Sequence, residues 1–278
     1  MKILDLSSEP IAEFPYHNAG TRAARWGNRS NWHWTLPVLK GVAEGIPEEL
    51  DALLLTSDLQ GTVQENGETR LLGEVLPEFL AAALSIEMNL RPEKTGVLLC
   101  GDFFALVGRR GGLGDVSGIW KAFKTHFQWV AGVSGNHDDF GQNWNRLNRL
   151  RQEPGIFYLE NNAVEIENFK LAGLSGVIGE NGKHNYLPEI DFCQKLDALL
   201  AKRADLTLLH QNPFHTDSPR KGGKAVLDLL QRHPGRLLAC GHAIWNEPLL
   251  LLENGTQVLN VAERAVVLKR FSAHVGSA

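Results

Sequence analysis

The residues of this chain best suited to chemistry stand at the ends of its apolar runs. Thr56-Ser57-Asp58-Leu59-Gln60-Gly61 follows Ala52 to Leu55, Gly101-Asp102 follows Val97 to Cys100, and Gly135-Asn136-His137-Asp138 follows Trp129 to Val133. Further on, His210 closes Leu206 to Leu209, and Gly241-His242 closes Leu237 to Cys240. Carboxylates, imidazoles and amide oxygens are ligands for divalent metals. A strand that stops on Gly plus such a residue delivers it to the carboxyl edge of a sheet, where open α/β sheets place their sites. Several strands ending this way point to one convergent metal site. Each residue alone has a plainer use: Asp58 and Asp102 suit helix N-caps, and Asn136 suits a left-handed turn.

The order of the clusters resembles the calcineurin-like metallophosphoesterase superfamily, whose pattern runs D-x-H, G-D, G-N-H-[D/E], a lone His and G-H-x-H. The corresponding residues are Asp58-Leu59-Gln60, Gly101-Asp102, Gly135 to Asp138, His210 and Gly241-His242-Ala243-Ile244, over roughly residues 50 to 270. Gln60 and Ile244 stand where the family usually has His. The resemblance implies a dinuclear site bridged by Asp102. Carried over residue by residue, one metal keeps Asp102, Asn136, His210 and His242. The other keeps Asp58 and Asp102, with Gln60 as a neutral oxygen donor and nothing from Ile244. Both missing imidazoles belong to the same ion, so the pattern implies one strong and one weakened site. Asn246, two residues past Ile244, could replace the lost ligand, although Pro248 marks it as a turn residue.

Two imidazoles, a carboxylate and an amide oxygen form a mixed shell that suits Mn, Fe, Zn or Co, and an oxygen-only neighbour suits Mg or Mn. Such ions polarise phosphoryl oxygens and acidify bound water, and a pair about 3.5–4 Å apart clamps the attacking and leaving oxygens. The resemblance thus implies a metal-dependent phosphoric ester hydrolase acting through metal-bound hydroxide, with a phosphodiester (a nucleotide among them) preferred over a monoester. His137 resembles the residue that contacts the phosphate or protonates the leaving group, with Asp138 expected to orient its ring. The competing expectation is a protein of the same fold that binds a phosphorylated ligand or a partner without turning it over.

Composition narrows the setting. A net charge of −4 over 278 residues gives no general attraction to nucleic acid or to anionic membranes. Three Cys make no even disulfide framework, and Cys100 and Cys240 lie in apolar strands as free thiols. The start Met1-Lys2-Ile3-Leu4-Asp5 lacks the apolar stretch of a signal peptide, so the cytoplasm is the expected location.

The elements that must position these residues follow from periodicity. Helical spacing covers Pro77 to Leu90, Gln142 to Arg151, Phe192 to Arg203 and Lys224 to Arg232. After Gly155 come close-set strands at 157–159, 164–166 and 169–174, and residues 248–268 read as a meander turning at Asn254-Gly255. The pattern fits one domain over 1–278, with residues 1–50 as an extension to a motif-bearing core at 51–270. The family resemblance implies a four-layer αββα sandwich of two mixed β-sheets flanked by helices.

Two segments fall outside the motifs. Residues 16–34 concentrate Arg22, Arg25 and Arg29 with Trp26, Trp32, His33 and Trp34. They suit either a base-stacking, phosphate-clamping lid or Trp packing of the N-terminal segment onto the body, and packing is the reading favoured. Gly108 to Gly118 reads as a glycine-rich loop near the metal mouth, where Arg109 and Arg110 are candidates for substrate phosphate contact.

Overall fold

The computed structural model describes residues 1–19, 31–107, 112–141, 144–218 and 222–272. The first half of the chain supplies β1 (Lys2–Leu6), β2 (Ala12–Ala19), β3 (Asn31–Glu44), β4 (Ala52–Ser57), β5 (Thr62–Glu65), β6 (Glu68–Leu71), β7 (Thr95–Cys100), β8 (Gly114–Asp115), β9 (Trp129–Val133) and β10 (Asp138–Asp139). The second half supplies β11 (Ile156–Tyr158), β12 (Asn161–Ile166), β13 (Phe169–Leu174), β14 (Val177–Ile178), β15 (Tyr186–Leu187), β16 (Leu206–Leu209), β17 (Leu237–Cys240), β18 (Leu249–Leu251), β19 (Gln257–Asn260) and β20 (Arg264–Arg270). The helices are α1 (Leu72–Met88), α2 (Ser117–His126), α3 (Trp144–Gln152), α4 (Glu189–Ala201) and α5 (Lys224–Arg232).

Two sheets carry the architecture. The first runs β11-β9-β7-β4-β20-β3-β2-β5-β6, with β1 also on β3, and the second runs β12-β13-β16-β17-β19-β18. Within the first, β4, β7 and β9 are parallel neighbours and wholly buried, which is why they read as unbroken apolar runs. Their side chains alternate between layers, as a strand's period of two requires. Leu54, Val97 and Leu99 face the layer of α1, α2 and α3, where Leu76, Leu80, Trp120 and Phe123 pack. Leu53, Leu55 and Leu98 turn inward and meet Leu171, Leu208 and Ala239 of the second sheet. The far face of that sheet packs Leu174, Leu209 and Val258 on Phe192, Leu196, Leu229 and Leu230 of α4 and α5. The fold is an αββα sandwich.

Four expectations change. Three strands of the expected extension join the core: β3 pairs with β20 from Val38 to Ala43, so β1, β2 and β3 belong to the first sheet. The helix expected from Pro77 begins at Leu72, where Leu71 N donates to Glu74 Oε2 at 3.1 Å. The last three strands are not a meander. β18 and β19 form the hairpin turning at Asn254-Gly255, whereas β20 crosses to the other sheet and inserts between β4 and β3. Helix α2 fills part of the expected loop, anchored by Ile119, Trp120 and Phe123, all fully buried. Among the described residues, no helix is long and apolar enough to cross a membrane.

Candidate metal centre

Parallel pairing puts the carboxyl ends of β4, β7 and β9 at one edge of the first sheet, and β16 and β17 end together in the second. Asp58, Asp102, Asn136, His210 and His242 lie at or just beyond those ends. Among the described residues, Asp102, His210 and His242 bring their ligand atoms within 4.8 Å of one another. The rings of His210 and His242 meet edge to face at 5.1 Å.

The glycines of the motifs make this convergence sterically possible. A β-carbon on Gly101 would lie 2.4 Å from Gly135 N and 2.9 Å from His210 Nδ1. One on Gly135 would lie 2.0 Å from Asp102 Oδ1, and one on Gly241 would lie 2.0 Å from Ser57 Oγ. The residues after the turns are held in left-handed backbone: φ is 57° at Asp58, 59° at Asp102 and 70° at His242. Side-chain residues adopt this region at a cost, and such strain concentrates at functional sites.

The tautomer of His210 is set by its surroundings. Its Nδ1 lies 2.7 Å from the Cys100 carbonyl, which only accepts, so Nδ1 carries the hydrogen. Nε2 then faces Asp102 Oδ2 at 3.2 Å without a formed hydrogen bond. Two acceptors opposed at that distance in a buried setting need a positive charge between or upon them. Burial of the ring, the largest single influence, lowers the His210 pKa, but the Asp102 and Asp58 carboxylates and the Cys100 carbonyl together outweigh it and push it up to about 10. Burial raises the Asp102 pKa, yet the charges of His210 and His137 leave it below the ordinary carboxylate value. Asn136 adds a second signal: its Nδ2 donates to Tyr186 Oη at 3.2 Å, while its buried Oδ1 has no partner. An imidazole nitrogen and an amide oxygen, both buried and unbonded beside a carboxylate, fit a divalent ion.

The positions expected to form the other half of the centre are arranged differently. Asp58 is partly buried, and its Oδ2 accepts from Ser57 Oγ at 2.7 Å and from His242 N at 2.9 Å. Burial, then the nearby Asp102 charge, raises its pKa against the opposing pull of His210. Gln60 turns its amide nitrogen, not its oxygen, towards Asp102 Oδ2 at 3.3 Å. Held this way it is a donor to the carboxylate. Asn246 is exposed and gives its amide to Asp217 Oδ1 at 2.6 Å, which makes it the turn residue.

The Asp138 side chain points away from the His137 ring it was expected to orient. Its oxygens accept from the backbone N–H groups of Asp102 (2.7 Å), Phe103 (2.7 Å) and Gly135 (2.8 Å), so it ties the second motif to the third. Burial, then the Asp102 charge, pushes its pKa up to about 6 despite those bonds. The His137 ring instead meets the Gly112 carbonyl, 2.9 Å from Nδ1, and His137 N donates to Asp102 Oδ1 at 2.9 Å. Arg109 and Arg110, like Arg22, Arg25, Trp26 and Arg29, lie outside the described residues. Ser57, His184, Asn185 and Tyr186 touch the centre without a signal in the motif pattern.

The sequence model described as calcineurin-like phosphoesterase matches residues 52–244, a span that contains every motif of this edge. The chain belongs to the calcineurin-like phosphoesterase family. Members of this family are divalent-metal-dependent phosphoester hydrolases. Among solved structures, TT1561 of Thermus thermophilus aligns with a TM-score of 0.51 at 17% identity, covering 79% of this chain and 88% of that one. That likeness is one of fold. A phosphopantetheinyl hydrolase from Mycobacterium tuberculosis aligns with a TM-score of 0.45 at 15% identity, covering 76% of this chain and 88% of its own. The comparison with curated proteins gives no match.

Proposed function

We propose that this chain is a metal-dependent phosphoesterase with one firm ion site, formed by Asp102, Asn136, His210 and His242, and one weakened site beside Asp58. The observation that carries this reading is the pair of unbonded buried acceptors, His210 Nε2 and Asn136 Oδ1, next to Asp102. Mn, Fe, Zn or Co suits that donor set. An ion held there supplies polarisation of a phosphoryl oxygen and acidification of water.

The remaining work belongs to the chain's own side chains. The Gly112 carbonyl accepts from His137 Nδ1, so Nε2 is the nitrogen left to face the phosphoryl group; it would hydrogen-bond that group or protonate the leaving oxygen only in the form in which Nε2 also carries a hydrogen. Asp58, anchored through Oδ2, has Oδ1 available to accept a hydrogen bond from the attacking water. A phosphodiester, with nucleotides among the candidates, is preferred over a monoester on the strength of the aromatic and basic residues that the sequence concentrates at 16–34. His17, within the described part of that stretch, pairs with Thr62, two residues beyond Gln60.

Hydrolysis of bis-p-nitrophenyl phosphate and p-nitrophenyl phosphate, measured alongside bound metal, tests the reading. Wild type should hold one ion and favour the diester, and His137→Ala should lose turnover while keeping the metal. No bound metal after loading with Mn²⁺ would sink it. The Gln60 amide set against Asp102 also favours a second reading, a protein that only binds phosphorylated ligands. Its mark would be metal and phosphate binding without turnover in wild type.

A further inference from the structure

Three consecutive residues outside the motifs grip the Gly135–Asp138 turn. His184 Nε2 donates to the Asp138 carbonyl at 2.7 Å. Asn185 Nδ2 donates to the Gly135 carbonyl at 2.8 Å and to the Asp138 carbonyl at 3.0 Å. Tyr186 Oη accepts from Asn136 Nδ2 at 3.2 Å. The segment that presents them is itself fastened: Gly176 N donates to Ser134 O at 2.8 Å, and Val177 N donates to Asn185 O at 2.9 Å. A β-carbon on Gly176 would lie 2.4 Å from Asn185 O, and one on Gly179 would lie 2.2 Å from Tyr186 Cδ1. The Tyr186 ring therefore lies directly over the bare α-carbon of Gly179.

From this contact we infer that Tyr186 is a positioning residue for the metal centre, acting through Asn136. The inference rests on Asn136 being a ligand, as proposed above. A primary amide has a donor end and an acceptor end that occupy similar space. Only the oxygen can face a cation, so the NH₂ must find an acceptor on the opposite side. The Tyr186 oxygen is that acceptor. For this it must send its own hydrogen elsewhere, and the residue borders a cavity of about 770 Å³ whose walls also include Ser175, Asn161 and Asn162. A partner that orients a metal ligand from behind is typically worth about 10–100-fold in metal affinity.

The test is Mn²⁺ affinity of the full chain, by competition with a fluorescent chelator, together with the Mn²⁺ electron paramagnetic resonance spectrum. Tyr186→Phe removes only the hydroxyl; it should raise the dissociation constant about ten-fold or more and alter the spectrum. The melting temperature of the metal-free protein should stay at the wild-type value. Gly179→Ala, which displaces the ring, should weaken the metal in the same direction. If Asn136→Ala weakens Mn²⁺ binding while Tyr186→Phe matches wild type in affinity and spectrum, the positioning role is wrong and the ligand reading stands. If Asn136→Ala also binds Mn²⁺ like wild type, both fall. A Tyr186→Phe variant that loses metal-free stability and no metal affinity would mark an ordinary packing residue.

Discussion

Gly135 lies so close to Asp102 that a β-carbon on it would sit 2.0 Å from the carboxylate Oδ1. Because the contact is to a side chain already accepting the His137 N–H, there is little slack to absorb a methyl group. Gly135→Ala should cost about 1–3 kcal/mol in stability through overpacking and should weaken metal binding as well. Urea denaturation and an Mn²⁺ titration measure the two effects. An Ala variant with wild-type values for both would show that the edge yields more easily than its contacts indicate.

The half of the centre proposed above to be weakened is open to repair. Gln60 now spends its amide nitrogen on Asp102 Oδ2, and Ile244 offers no donor. The double substitution Gln60→His with Ile244→His should raise bound metal from one ion per chain to two, read by elemental analysis after gel filtration. Gln60→His alone should hold the second ion less tightly, since it adds only one of the two absent imidazoles. A double variant still at one ion would place the obstacle in the backbone or in Asp58.

Thiol chemistry should separate the three cysteines. Cys100 and Cys240 are buried in β7 and β17, and burial raises both pKa values. Cys193 on α4 is partly exposed, with burial pushing its thiol up more modestly. In native protein only Cys193 should react with an aromatic disulfide reagent, slowly near neutral pH, and all three should react after denaturation. Rapid labelling of two or three thiols without denaturant would contradict this packing.

Acid stability should carry the signature of one ion pair far from the centre. Both oxygens of Asp51 accept from Arg91, at 2.7 and 2.9 Å, and the hydrogen bond to Arg91 is the main reason its pKa falls below 3.8. The folded chain thus binds this proton less tightly than the unfolded chain. The stabilisation is complete above 3.8 and is lost as pH falls through the lowered value. The stability difference between wild type and Asp51→Asn should therefore be largest near neutral pH and shrink on acidification. A difference that is constant with pH would argue against the pair.

How much of this was readable beforehand divides along physical lines. The edge carrying Asp58, Asp102, Asn136, His210 and His242 was legible because each residue ends a buried strand, and a strand end is a local property of sequence. The same locality explains why α1, α3, α4 and α5 were legible, whereas α2, whose start at Ser117-Gly118 is hidden by neighbouring glycines, and the crossing of β20 into the first sheet were not. What stayed hidden depends on direction or on distance along the chain. Asp138 was legible as a motif residue, but not that its carboxylate turns towards three backbone N–H groups. Tyr186 reaches Asn136 from 50 residues away in a segment with no apolar period. The orientation of the Gln60 amide depends on Asp102 being its neighbour in space.

The insertion of β20 between β4 and β3 constrains the order of assembly. Arg264 lies opposite Ser57, and Ala265 lies opposite Val38, so two blocks that leave the ribosome early meet only through a strand synthesised some two hundred residues later. Until then β3 and β4 each expose an unpaired edge, the kind of surface that recruits other chains. Contacts of such long range are slow to form. The first sheet, and with it the floor beneath Asp58, is completed only after the chain has passed through the whole second sheet. Nascent chains halted before Arg264 should therefore be aggregation-prone and lack the metal edge, even though every motif has already been translated.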